Sequence, residues 1–330
     1  MTNKNDFVII EGFWGIGKTA IAEELQKAGF DFIKEPEGPD KNIKSKAEIS
    51  NWYLQQHKAR ENEFKKNHNP LVLERSELST FAYNYIISKK TPTAEKLSSI
   101  AKLIKTKKIL LTYLSLPAEN SNLIKQNNKI HGKEILNVIN NQAKINLYEK
   151  WYKDILPHKF GITPFIIDLK NAKRLKNNDI AKNIVSCLKL NRIAQVNVVV
   201  CRYNNKTLEV LILKRTKNRG GFWQAVTGGV HIGESLIDTA TREVKEELAL
   251  SVSNIKYTNF FYSFMGNDNY ILHEYVYVVL VNMSSSLKIK ISKEHDEYKW
   301  VDEKTAISHL KFEDNKNAVK KSIKIIKATK

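Results

Sequence analysis

The run "GGVHIGESLIDTATREVKEELAL", residues 228–250, crowds Glu243, Glu246 and Glu247 onto a segment that also repeats apolar side chains. Leu236, Ile237, Ala240, Val244 and Leu248 recur at helical spacing, which predicts a helix from about Ser235 to Leu248 with these five as its buried stripe. Glu243 and Glu247 are four residues apart and share a face, with Glu246 next to them. On a helical wheel those carboxylates sit beside the apolar stripe, not opposite it. Like charges so placed repel and lose part of their water unless a cation neutralises them. Hard oxygen ligands with polyphosphate charge nearby favour Mg2+ or Mn2+.

The spacing resembles the Nudix box. Gly228 is followed after five residues by Glu234, then after seven by Arg242-Glu243, the aliphatic Val244, Glu246-Glu247 and Leu250. Ala249 departs from the pattern, which usually has glycine there; if that backbone is left-handed, alanine costs about 1 kcal/mol. The flanks "GGFWQAVTGGV", "SKEHDEYKWVDEKTA" and "KFEDNKNAVKK" resemble the dATP and dihydroneopterin triphosphate pyrophosphohydrolase group. The resemblance implies an α+β Nudix fold, a mixed sheet sandwiched by helices. It implies that Glu243, Glu246 and Glu247 bind divalent ions, that Arg242 braces the helix by pairing with a box carboxylate, and that Glu234 adds an indirect ligand. It also implies a base from the later loop, with Glu294 the candidate and Glu297 behind it. Phe222 and Trp223 have two readings, stacking on a nucleobase or packing in a core. The implied reaction is Mg2+-dependent cleavage of a nucleoside triphosphate, or a related diphosphate-linked compound, to a monophosphate and pyrophosphate.

Far upstream, "GFWGIGKTAIAEEL", residues 12–25, follows the apolar run "FVII" and one glutamate. Gly12, Gly15, Gly17, Lys18 and Thr19 fit GxxxxGK[ST]. Glycines let successive N–H groups turn toward phosphate oxygens, and the helix that follows aims its positive end at the same place. The lysine reaches the terminal phosphates and the threonine hydroxyl can ligate Mg2+. "IIEGFWGIGKTAIAEEL", "IKEPEG" and "VLERSELSTFAY" together resemble the thymidylate kinase and deoxynucleoside kinase superfamily, over roughly residues 6–190. That resemblance implies ATP as phosphoryl donor, Glu35 as base or acceptor-binding carboxylate, Glu74 on the magnesium side and Arg75 gripping a phosphate. The lid region "LIKQNNKIHGKE" offers Lys125, Lys129, His131 and Lys133 where such kinases use arginines, and lysine lacks their fork geometry.

Strand-like runs "FVII", "DFI", "LVLE", "ILLTYL" and "FIIDL" alternate with helical patterns such as "AEISNWYLQQHKARENEF" and "EILNVINNQAKINLYEKWYKDIL", predicting an α/β unit with a parallel sheet and helices on both faces. "NDIAKNIVSCLK" reads as its closing helix. After about residue 190 the texture changes to "AQVNVVVCRY", "NNK" and "LEVLILKR", a hairpin signal, with "HEYVYVVLV" as a later strand and two helical stretches at the end. The domains expected are 1–190 and 191–330. No Pro, Gly or Ser run separates them, which implies a short tether.

The chain has 330 residues, enough for two such domains. Its net charge of +19 is spread over both halves, mostly as lysine, and favours anionic partners. The partners expected are small-molecule nucleotides rather than nucleic acid or membrane, with a homo-oligomer left open. No apolar run approaches the ~20 residues a bilayer span needs, and the N-terminal segment lacks the pattern of a secretion signal. With Cys187 and Cys201 the only cysteines, a reduced, cytoplasmic setting is expected. Two phosphate-handling motifs imply a bifunctional nucleotide enzyme. The alternatives are a Nudix hydrolase whose P-loop half only senses ATP, and a basic nucleic-acid-binding protein with a nucleotide switch.

Overall fold

Val8, Ile9 and Ile10 are all inaccessible to solvent, as expected of a central strand covered on both faces. They belong to β1 (Phe7–Gly12), which lies between β3 (Leu71–Glu74) and β4 (Leu110–Ser115); β2 (Asp31–Ile33) and β5 (Phe165–Asp168) form the edges. All pairings are parallel, in the order β2-β3-β1-β4-β5. The structure is a computed structural model that describes residues 3–39, 42–43, 45–115, 133–169, 176–266, 270–282 and 289–329. The chain divides into two units, Met1–Ile193 and Ala194–Lys330.

Helices of the first unit are α1 (Lys18–Lys27), α2 (Lys46–Glu61), α3 (Glu63–Lys66), α4 (Glu77–Ser88), α5 (Ala94–Lys107), α6 (Lys133–Ile139), α7 (Gln142–Lys150), α8 (Leu156–Phe160) and α9 (Asn177–Leu190). Side chains alternate across a strand. Phe7, Ile9, Leu71, Leu73 and Leu111 join one core cluster with Leu78 of α4, Ile100 of α5 and Tyr148 of α7. The intervening Val8, Ile10, Val72 and Leu110 are equally buried on the other face, where α1 supplies Ile21, Ala22 and Leu25. The single long helix expected over "EILNVINNQAKINLYEKWYKDIL" is broken. Asn141 caps the start of α7 by accepting from Lys144 N, and Trp151–Ile155 form a π-helical turn before α8. Lys125, Lys129 and His131 lie outside the described residues; Lys133 opens α6, and its side chain also lies outside them.

The second unit holds a mixed sheet: β6 (Ala194–Asn204), β7 (Thr207–Arg215), β8 (Trp223–Gln224), β9 (Val226–Val230), β10 (Lys256–Met265), β11 (Ile271–Leu280) and β12 (His295–Val301). Its path is β10-β11-β6-β7-β12, with β8 on β7 and β9 on β6; β6 and β11 are parallel and the other pairs antiparallel. The hairpin expected at "NNK" is the two-residue turn between β6 and β7, with Asn205 at φ 56°. Helix α10 (Leu236–Leu248) packs on β9 and β6, whereas α12 (Glu313–Ala328), after the short α11 (Glu303–His309), covers the other face through Ala318, Val319 and Ile323.

One expected core position fails. Leu236, Ala240, Val244 and Leu248 are buried, but Ile237 is 42% exposed, and Thr239 takes the place in the stripe that it was expected to fill. Among the described residues no helix is long and apolar enough to cross a membrane.

Candidate functional site

Helix α10 starts where Ser235 accepts a hydrogen bond from Asp238 N, and it ends at Ala249 in a left-handed conformation, φ 56°. Its acidic face turns toward β9. Gly228 on that strand has no side chain for a steric reason: a Cβ there would stand 1.7 Å from the Glu243 carboxyl carbon. Glu243 and Glu247 are therefore buried to within 8% and 6% exposure, while Glu246 projects outward. Burial raises the Glu243 pKa although Arg242 works against it. Burial, then the charges of Glu243 and Glu294, push Glu247 up to about 9. Carboxylates pushed up in this way gain from any cation that arrives.

Arg242 organises the face. Its Nε and Nη2 donate to the two oxygens of Glu234 at 2.8 and 3.0 Å. Nη1 donates to Glu243 at 2.6 Å and Glu246 at 3.1 Å, and Nη2 also reaches the Gly229 carbonyl at 3.0 Å. Glu234 is thus engaged by Arg242. With the guanidinium lying between Glu243 and Glu246, no group of three or more His, Cys, Asp or Glu converges as a metal site among the described residues. Two buried carboxylates remain, and Glu247 Oε2 has no hydrogen-bond partner. An unpartnered buried carboxyl oxygen whose charge is disfavoured by a neighbouring carboxylate fits a divalent cation.

Glu294 sits near enough for its charge to raise Glu247, and it pairs with Arg219 at 2.7 Å. Glu297 lies on β12 with Lys299 at 3.3 Å. Phe222 packs edge-on against Phe312, and Trp223 edge-on against His309; both are half-buried. His295 was not anticipated. Its Nε2 lies 3.9 Å from Glu247 Oε2, and nothing but its position next to Glu294 marks it in the sequence.

In the first unit, the carboxyl ends of β1, β2 and β3 gather a second set. Gly15 and Gly17 have φ 75° and 89°, conformations that side chains disfavour, and Gly17 is the N-cap of α1. Lys18 is only 5% exposed; its Nζ donates to the Phe13 carbonyl at 2.8 Å, and burial, then Arg75, bring its pKa down to about 7. Thr19 Oγ1 donates to Glu74 at 2.8 Å. Arg75, itself left-handed at φ 61° and buried, donates from Nε to Glu35 at 2.8 Å and lies over the Trp14 ring at 4.9 Å. Its Nη1 donates to Ser79 Oγ at 3.1 Å. Buried Glu11 fixes the next residue, accepting from Ser76 N at 2.8 Å and Ser76 Oγ at 2.6 Å. Sequence reasoning missed Glu11 and Trp14 as supports of Arg75.

Residues 193–322 match the NUDIX domain. The chain is 31% identical over 129 residues to an octanoyltransferase of Myxococcus xanthus, using 38% of this chain and only 36% of that protein. It is 30% identical over 142 residues to dihydroneopterin triphosphate diphosphatase of Escherichia coli, using 39% of this chain and 91% of that protein. The solved E. coli dihydroneopterin triphosphate pyrophosphohydrolase superposes with a TM-score of 0.35 at 26% identity, over 40% of this chain and 95% of that one. A relative matched along nearly its whole length, together with a NUDIX match over the residues that carry Gly228, Arg242 and the buried acidic face of α10, shows that the chain belongs, through its second unit, to the Nudix family.

Proposed function

We propose that residues 191–330 form a Mg2+- or Mn2+-dependent pyrophosphohydrolase that cleaves a nucleoside triphosphate, or a related diphosphate-linked compound, to a monophosphate and pyrophosphate. The observation that carries this reading is the Gly228 recess, which receives the Glu243 carboxylate where any side chain would collide. Glu243 and Glu247, with Glu246 beside them, would hold the ion. When bound, such an ion polarises phosphoryl oxygens and lowers the pKa of a water. Arg242 keeps Glu234, Glu243 and Glu246 in register on the loop and helix, and Glu294, whose charge reaches Glu247, would take the proton.

For residues 1–190 the proposal is phosphoryl transfer from ATP to a (deoxy)nucleoside or nucleoside monophosphate. Gly12, Gly15 and Gly17 would turn amides toward phosphate, and Thr19 with Glu74 would hold a divalent ion. A buried Lys18 with a lowered pKa is a cation short of counter-charge, a deficit that a polyphosphate removes. The Arg75–Glu35 pair supports Glu35 as the acceptor-side carboxylate, positioned by Arg75.

The test is chromatography of the products of a triphosphate panel, dihydroneopterin triphosphate included, with Mg2+ and with nucleoside acceptors. Glu247→Gln is expected to lower pyrophosphate release at least ~100-fold without unfolding the chain. Lys18→Ala is expected to remove acceptor phosphorylation and leave pyrophosphate release unchanged. Wild-type pyrophosphate release by Glu247→Gln would overturn the hydrolase assignment, and absence of any phosphorylated acceptor would overturn the transferase assignment.

A further inference from the structure

The segment that precedes β12 is strapped to the C-terminal end of α10. Lys290 N donates to the Leu248 carbonyl at 3.1 Å and Ser292 N to the Glu247 carbonyl at 3.0 Å, while His295 N donates back to Ser292 O at 3.2 Å. These bonds bring the His295 imidazole over the Glu247 side chain. Both are buried, and Glu247 Oε2 and His295 Nε2, 3.9 Å apart, each lack a hydrogen-bond partner. Two orphaned polar atoms facing each other inside a fold are costly unless they serve one another, directly after a shift of about 1 Å or through one water.

The neighbouring donors favour one assignment of hydrogen between them. Ser292 Oγ accepts from Glu294 N at 3.3 Å. Its own hydroxyl proton is free to be donated to His295 Nδ1, 3.4 Å away. An imidazole that accepts at Nδ1 carries its proton at Nε2. In that tautomer Nε2–H faces Glu247 Oε2, the carboxyl oxygen without a partner.

We propose that His295 is a positioning residue for Glu247, held in the required tautomer by Ser292, and that it fixes the orientation of this carboxylate on the acidic face of α10. The chain Glu294 N–H to Ser292 to His295 to Glu247 ties the candidate base and the candidate metal ligand to one loop. The proposal rests on the reading of Glu247 as a metal-binding carboxylate. Partners that orient a ligating group typically contribute 10- to 100-fold in metal affinity.

The experiment uses the full chain and Mn2+ alone, with free Mn2+ followed by electron paramagnetic resonance, and adds kcat and KM for dATP. His295→Leu is expected to weaken Mn2+ uptake by about 10-fold and to lower kcat similarly, with KM changed less than about twofold. His295→Gln, whose amide returns a donor near the Nε2 position, is expected to restore both to within about threefold. A His295→Leu protein that takes up Mn2+ as the wild type does, or a His295→Gln protein as impaired as His295→Leu, would overturn the proposal. Should His295→Leu fail to fold, Ser292→Ala carries the test: about threefold weaker uptake is expected, and unchanged uptake would overturn it. Wild-type protein that takes up no Mn2+ would overturn the metal reading itself, and this proposal with it.

Discussion

Ala249 ends α10 at φ 56°, in the left-handed region where alanine is strained and glycine is not. The side chain is exposed, so nothing in the packing offsets that strain. Ala249→Gly is therefore expected to stabilise the protein by about 0.5–1 kcal/mol, a rise of roughly 2–4 °C in thermal midpoint by calorimetry. Gly228 poses the opposite case. A methyl group there must displace the Glu243 carboxylate, whose three atoms would stand 1.7–2.2 Å from it. Gly228→Ala should lower pyrophosphate release at least ~100-fold while costing about 1–3 kcal/mol in a urea titration. Wild-type turnover from that variant would mean that the Glu243 orientation has no part in the chemistry.

At the scale of the element, helix α10 was readable because its two patterns agree: an apolar stripe at helical period and acids at i, i+3 and i+4 beside it. Helix α2 was readable only as a helix, and the segment that forms α4 was not read as one. Nothing in the sequence shows that Glu61, near the end of α2, accepts the Glu77 N–H at 2.9 Å, or that both Glu77 carboxylate oxygens are buried without a partner. Burial, then the Glu77 charge, raises Glu61 to about 8, and burial raises Glu77 to about 7. Acids with raised values bind more protons folded than unfolded between about pH 4.5 and 8. Stability is then fully present below that window and falls as pH rises through it. Glu77→Gln removes one titrating group and should stabilise the chain at pH 8 by on the order of 1–3 kcal/mol, with little effect at pH 4.5. Equal urea midpoints for the variant and the wild type at pH 8 would contradict the assignment.

At the scale of the whole molecule, what could be read ahead followed from local pattern, and what could not depended on distant pairing. Strands β1, β3, β4 and β5 are continuous apolar runs because both faces of their sheet are covered. Strands β8 and β9 are short and contain the Gly228-Gly229 pair, so no period marks them, and β10 mixes Asn259 and Ser263 with half-buried aromatics at a bulge. The contacts that build the sites span still longer gaps: Arg75 meets Glu35 across 40 residues and Glu294 meets Arg219 across 75. Charge behaves differently, because it needs no fold to be counted. The +19 excess lies over both halves, whereas the groups proposed to handle phosphate in each unit are recessed, with Lys18, Glu243 and Glu247 all nearly buried. A diffuse surface potential binds polyanions through released counterions and weakens steeply with salt; a recess of fixed groups does not. Duplex DNA should retard the protein at about 20 mM salt and lose its hold by about 0.15 M. At the higher salt, excess duplex should leave the rate of pyrophosphate release within about twofold of its value without DNA. Binding that survives the higher salt and blocks turnover would mean that nucleic acid, not free nucleotide, occupies the acidic recess of the second unit.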